Sequence, residues 1–208
     1  MNYFDHENIS ASDLKSFLKK LGGGYEDPAN LEQIFEFGTL FHQTILEPHK
    51  NYNHEPSAEL RLATNMKDTF FKDDICRMFI TGHDFKREEE FYEVVEVGGM
   101  QYKARCKADG SRRGISSLLE LKGLKMTSSK TFDAAIDRLN YDMTAVHYML
   151  TARAERMLIV GISKIDPRII FKKIIKRCDE TYIVGEEKLI QTLRLLRQYS
   201  EDDVKLVA

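Results

Sequence analysis

The stretch Lys103–Gly123, KARCKADGSRRGISSLLELKG, decides the fold. It reads as two strands joined by the polar turn ADGSRRG, with Asp109 closing the first strand and Glu120 and Lys122 near the end of the second. Strand side chains alternate between faces, so Leu118, Glu120 and Lys122 share one face while Leu119 and Leu121 take the other. An acid and a lysine on a strand that also carries leucines are costly to bury unless something pairs with them. A second carboxylate one hairpin earlier, at Asp109, makes a divalent metal a natural partner. Hard cations such as Mg2+ take one or two carboxylates and keep places for phosphate and water. The competing reading of the same residues is an edge strand whose Glu and Lys pair across a sheet.

Working outward, the chain of 208 residues is 42% hydrophobic and 31% charged, a composition that fits one globular domain over residues 1–208. Residues 1–81 read as mainly helical, and 88–199 as a sheet core with flanking helices. Cys76, Cys106 and Cys178 are scattered without CxxC spacing, which argues against disulfides, structural zinc and a four-cysteine cluster. No run of eighteen apolar residues exists, and the opening MNYFDHENIS has no apolar core, so neither a membrane span nor a signal peptide is expected; a cytoplasmic setting is. The formal net charge of −2 excludes a protein that coats nucleic acid electrostatically. Any nucleic-acid contact must use local positive charge, and Arg105, Lys107, Arg112, Arg113, Lys122, Lys125 and Lys130 lie around the central stretch.

Before that stretch, NISASDLKSFLKK (8–20) predicts a helix capped by Ser10 or Ser12, with Leu14, Phe17, Leu18 and Leu21 as its apolar stripe and Gly22-Gly23-Gly24 as its end. Residues 30–46 predict a second helix, stopped by Pro48, that buries Leu31, Ile34, Phe35, Phe41, Ile45 and Leu46. Two amphipathic helices follow over 57–81, carrying Leu60, Leu62, Met66 and Phe70, then Ile75, Met78, Phe79 and Ile80. His49, His54 and His83 read as surface residues. Residues 88–108 predict a hairpin turning at Gly98-Gly99. A two-residue loop there pairs Val97 with Met100, so that Glu90 faces Lys107 and Glu88 faces Asp109. A slip of one residue hands their place to Glu89 or Glu93. After the central stretch come helices over 130–138 and 140–155, strands over 156–165 and 168–175 that turn at Asp166-Pro167 and extend the sheet in the antiparallel sense, and a closing helix over 179–199. The result is a mixed α/β class, a central mixed sheet flanked by helices with a helical N-terminal addition.

Asp109, ten residues, then Glu120-x-Lys122 resembles the PD-(D/E)XK nuclease signature. The segment FGTLFHQTILEP resembles the GxxxHxxxLEP segment of the RecE-type (exodeoxyribonuclease VIII-like) and lambda-exonuclease-like branch, and ISASDLKSFL resembles that branch's first helix. The resemblance runs from about residue 8 to about 199 through four short motifs. It implies that Asp109 and Glu120 bind Mg2+ or Mn2+, that His42 and the main-chain carbonyl of Leu121 complete the shell, and that Lys122 orients or deprotonates water and stabilises phosphoryl charge. It implies a further acid at Glu90 or Glu88. The branch carries a glutamine between two tyrosines on a late helix; here the positions hold Tyr141, Thr144 and Tyr148, so the tyrosines match and the glutamine does not. Thr144, Tyr148, Arg112, Arg113 and Lys125 are the candidates for positioning DNA.

What the resemblance implies for activity is 5′ to 3′ exonucleolytic attack on linear duplex DNA in phage-type recombination, with a single-strand annealing protein as partner and a ring homo-oligomer as assembly. Two other readings stay open. One is a nuclease fold kept as a binding module, which Thr144 and the mild net charge motivate; the other is an endonuclease or single-strand nuclease with the same site. A cleavage assay on linear, circular and single-stranded DNA separates all three.

Overall fold

The computed structural model describes residues 8–22, 31–49 and 57–205, the side chains of 200–205 excepted. Gly23, Gly24 and His54 lie outside the described residues. The order is α1 (Ala11–Leu21), α2 (Leu31–Leu46), α3 (Ala58–Lys72), α4 (Asp74–Ile80), β1 (Phe85–Val97), β2 (Met100–Arg112), β3 (Ser117–Leu124), α5 (Ser129–Arg138), α6 (Tyr141–Thr151), β4 (Arg156–Ser163), β5 (Ile170–Lys176) and α7 (Glu180–Lys205). The five strands form one mixed sheet in sequence order.

Alternation along the strands sorts the core into two layers. Leu118, Met157 and Ile159 point toward α1, α5, α6 and α7, where Leu14, Phe132, Met143 and Leu189 meet them. Leu119, Leu121, Leu158 and Val160 point the other way, onto Phe41, Met66 and Phe79 of α2, α3 and α4. The sheet is thus covered on both faces, and Glu120 and Lys122 stand on the α1 and α6 side.

The hairpin turns where expected, with Gly98 and Gly99 both at positive φ and Val97 opposite Met100. Glu90 faces Lys107, and because Arg87↔Gly110 and Glu89↔Ala108 keep one register, Glu88 is level with Asp109. Ser10 caps α1 in a reciprocal pair with Asp13.

Five expectations are corrected. The polar turn lies later than ADGSRRG: β2 runs through Asp109 to Arg112, and the chain reverses at Arg113–Ile115 with Ser116 in the left-handed region. The strand after α6 does not join the sheet in the antiparallel sense, because β4 lies parallel to β3, the two helices α5 and α6 providing the crossover; only β5 is antiparallel to β4. In α2 the buried residues are Phe37, Phe41, Thr44, Ile45 and Leu46, whereas Ile34 and Phe35 are exposed. Phe37 already lies against Gly123, next to the end of β3, so the turns of α2 before it have no strand to cover. In α4, likewise, Cys76 and Phe79 are buried while Ile75 and Met78 are exposed. Last, α6 stops at Thr151 rather than 155: Arg153 is left-handed and the Ala154 amide donates back to Met149, a six-to-one closure of the helix.

His147 of α6 is fully buried between α6 and β2. Its Nε2 meets the Arg105 carbonyl at 3.0 Å, which can only accept, so Nε2 carries the proton and Nδ1 accepts from the Tyr102 hydroxyl at 2.9 Å. Burial pulls this imidazole down to about 4. The unfolded chain therefore binds the extra proton below pH ~6.5, and the stability this histidine contributes is complete above that pH. It declines toward pH 4 by up to about 3 kcal/mol. The melting temperature is expected to drop between pH 7.5 and 5, and the drop to shrink in His147→Gln. An equal drop in both proteins would remove His147 as its source.

Candidate active site

The ladder between β2 and β3 has three rungs, Gly110↔Leu119, Ser111↔Leu118 and Arg112↔Ser117, and stops there. Beyond it the strands part, and the edge of β2 is taken instead by Ile9, whose amide donates to Lys103 and whose carbonyl accepts from Arg105. The next level on the two strands is Asp109 and Glu120. On this side of β3 Leu121 has lost its strand partner, and side chains replace it. Its amide donates to Asp109 Oδ2 at 2.6 Å, and its carbonyl accepts from His42 Nε2 at 3.0 Å. His42 Nδ1 closes the circuit 3.2 Å from Asp109 Oδ1. A carbonyl and a carboxylate both accept only, so both ring nitrogens carry protons and His42 is an imidazolium.

Charge follows from that arrangement. Burial opposes it, yet Asp109 outweighs burial and holds the His42 imidazole above its ordinary range. Burial would raise the Asp109 carboxyl; His42, Lys122 and the Leu121 amide together hold it below the usual carboxylate range. Glu120 goes the other way, pushed up by burial and by the Asp109 charge against the pull of Lys122. Lys122 Nζ sits 2.5 Å from Glu120 Oε1, and Glu120 with Asp109 keeps it a firm cation despite burial. Two flanking carboxylates thus outweigh desolvation.

Of these residues His42, Leu121 and Lys122 line a cavity of about 490 Å³ whose walls also include Gly38, Glu88 and Tyr141, while Asp109 and Glu120 are not among its lining residues. Of the two acids expected from β1, Glu88 lines it. Glu90 is exposed, its carboxylate bonded to the Tyr92 hydroxyl at 3.3 Å. The slipped alternatives are occupied elsewhere, Glu89 by Ser111 and Arg113, and Glu93 by Arg153.

The residues expected to position DNA are mostly not at this site. Thr144 is buried and its short side chain donates to the Asn140 carbonyl of its own helix. Tyr148 is half-buried against the core beside His147. Arg112 is bound by Asp84 at 2.8 Å and Arg113 by Glu89 at 2.6 Å, both at the opposite end of β3. Arg105 is buried on Asp13, and Lys107 meets Glu88 at 3.5 Å, so much of the positive cluster seen in the sequence is neutralised internally. Lys125 is exposed past the end of β3, on a groove that continues from the cavity along Lys164. Tyr141, one of the two matching tyrosines, comes to the site, with Lys122 Nζ 5.5 Å from its ring centroid; Lys15, 4.6 Å from the same centroid, comes without a sequence signal.

Among the described residues no three His, Cys, Asp or Glu side chains are grouped as they would be to hold a metal ion. The donors nonetheless suit a hard divalent cation: two carboxylates at one level of a split sheet, with a main-chain carbonyl beside them. Glu120 Oε2 is buried and has no hydrogen-bond partner, an acceptor awaiting a positive ligand.

Comparison with solved structures bears on the fold. The chain superposes on the crystal structure of a candidate exonuclease from Eubacterium rectale with a TM-score of 0.60 at 17% identity, over 94% of this chain and 84% of that one. The chain shares the fold of that exonuclease structure. A phage-related exonuclease from Haemophilus somnus shows a TM-score of 0.47 at 11% identity over 97% and 96% of the two chains. An alkaline exonuclease from Laribacter hongkongensis shows 0.43 at 15% over 99% and 98%. No protein-family profile matches the sequence, and no curated protein matches it. No helix of the described residues is long and apolar enough to cross a membrane.

Proposed function

We propose that this chain is a metal-dependent deoxyribonuclease, an exonuclease that hydrolyses phosphodiester bonds of linear duplex DNA, 5′ to 3′, in phage-type recombination. The observation that supports it is the parting of β2 from β3 at Asp109 and Glu120, with Leu121, His42 and Lys122 gathered at the gap. Asp109, Glu120 and the Leu121 carbonyl would hold Mg2+, or Mn2+ in its place, and His42 would join them after giving up one proton. When bound, the cation supplies a hydroxide-like water near neutral pH and charge for the phosphoryl oxygens. Lys122, a fixed cation, adds charge against the pentacovalent phosphate. Glu88, on the cavity wall, is the additional acid. Lys125 and Lys164 offer local positive charge along the exit groove. A single-strand annealing protein and a ring of copies belong to this reading as its partner and assembly.

The test is cleavage of linear duplex DNA labelled separately at each 5′ end, with Mg2+ or Mn2+. Label release that EDTA stops, in an order set by phosphorylated and blocked ends, supports an exonuclease and gives its polarity. Cutting of closed circles would replace it with an endonuclease. Binding without cleavage of linear, circular or single-stranded DNA would replace it with a binding module.

A further inference from the structure

α1 is fixed to the sheet more firmly than a surface helix needs to be. Ile9 is stitched to both Lys103 and Arg105 of β2, Asp13 caps the helix and bonds buried Arg105 at 3.1 Å, and Leu14 is fully buried in the core. The next residue is Lys15. Its ammonium is held over the Tyr141 ring, 4.6 Å from the centroid, and Lys122 occupies the same ring at 5.5 Å. Among the described residues Lys15 makes no hydrogen bond and no ion pair, although Glu120 and Asp142 lie near enough to attract it. Burial, and then the like charge of Lys122 on the same ring, bring the Lys15 ammonium down to about 8.

An unpaired, half-buried charge beside a like charge weakens the free protein. The arrangement makes sense when a third party brings negative charge between them. Tyr141 is a wall of the cavity that His42 and Lys122 also line, and Lys15 sits over that wall without lining the cavity itself, so an anion entering against Tyr141 comes within the field of both ammonium groups. On the nuclease reading above, which this inference presupposes, the entering anion is the strand itself. We propose that Lys15 is a second phosphate-binding cation of the site, gripping the phosphate next to the one that Lys122 faces. The occupant is an internal phosphodiester oxygen of a DNA strand, and the contact is indifferent to base sequence.

A lysine that neutralises one phosphate releases counterions when DNA binds, and its loss shallows the salt dependence of affinity by about one unit of log Kd against log[salt]. The experiment measures fluorescence anisotropy of a labelled duplex between low and moderate NaCl with Ca2+ as the cation, for wild type, Lys15→Met and Lys15→Arg. Lys15→Met is expected to bind more weakly at low salt with a slope shallower by about one. Lys15→Arg restores the slope, and the melting temperature of Lys15→Met without DNA is equal to or above that of wild type. An unchanged slope in Lys15→Met, with or without a lower melting temperature, overturns the proposal and leaves Lys15 as a cover for Tyr141. Wild type that binds no DNA at any salt overturns the nuclease reading and this inference with it, an outcome distinct from a slope that stays the same.

Discussion

Lys122→Met abolishes most cleavage while DNA and metal binding survive: the expected fall in rate is roughly 10²–10⁴-fold, the range for removing a positioned acid–base or charge-stabilising group. Methionine keeps the buried stem and removes only the charge. The loss of the cation leaves Glu120 buried beside Asp109, and breaking one side of a buried pair ordinarily costs about 3–5 kcal/mol. Here the cost is smaller, because the Glu120 carboxyl is already pushed up and takes a proton readily in the metal-free protein. Circular dichroism checks the fold, calorimetry the metal, and release of acid-soluble nucleotide the rate. A variant that is folded, binds Mg2+ and cuts within a few-fold of wild type would remove Lys122 from the chemistry.

Asp109→Asn has the complementary signature: metal binding and cleavage fall together. Asparagine can still accept the Leu121 amide, so the split in the sheet keeps one of its two side-chain closures. It cannot hold the charge that a hard cation requires, and the expected loss of Mg2+ affinity exceeds roughly 100-fold, more than is typical for a residue that only supports a ligand. The same change removes the attraction that raises His42. In the metal-free wild type that raised imidazole contributes stability which is complete below pH ~6.5 and is lost as pH rises through its folded value; Asp109→Asn has no such contribution to lose. Calorimetric titration with Mg2+ and melting curves at several pH values read both effects. Wild-type Mg2+ affinity in Asp109→Asn would exclude Asp109 as a ligand.

Much of this site was legible before any coordinates. Period-two alternation put Glu120 and Lys122 on one face, and the Gly98-Gly99 loop set the register that brings Glu88 level with Asp109. Both are local rules of strand geometry. The spacing of His42 within its segment matches a known pattern, and α2 carries it against the Leu121 carbonyl and Asp109. The misses are of another kind. Whether Arg112 and Arg113 face a ligand depends on Asp84 and Glu89, partners supplied by distant segments that no window of sequence reveals. Ile34 and Phe35 have the periodicity of buried residues, but burial also needs a surface to cover, and β3 ends too early to provide one. Lys15 looked like any lysine on an amphipathic helix. Only the attachment of α1 through Ile9 and Asp13 brings it to Tyr141.

The three-rung ladder between β2 and β3 gives the interval between the carboxylates a meaning that a text pattern lacks. Asp109 and Glu120 are level because three paired residues on each strand and the reversal around Arg113–Ile115 separate them. Residues added at the reversal lengthen the interval and leave both carboxylates where they are. One residue added within Gly110–Arg112 or Ser117–Leu119 turns a carboxylate to the opposite face of the sheet. The spacing of ten is therefore elastic at its centre and rigid toward its ends, and search patterns for chains built this way should leave the middle free to vary.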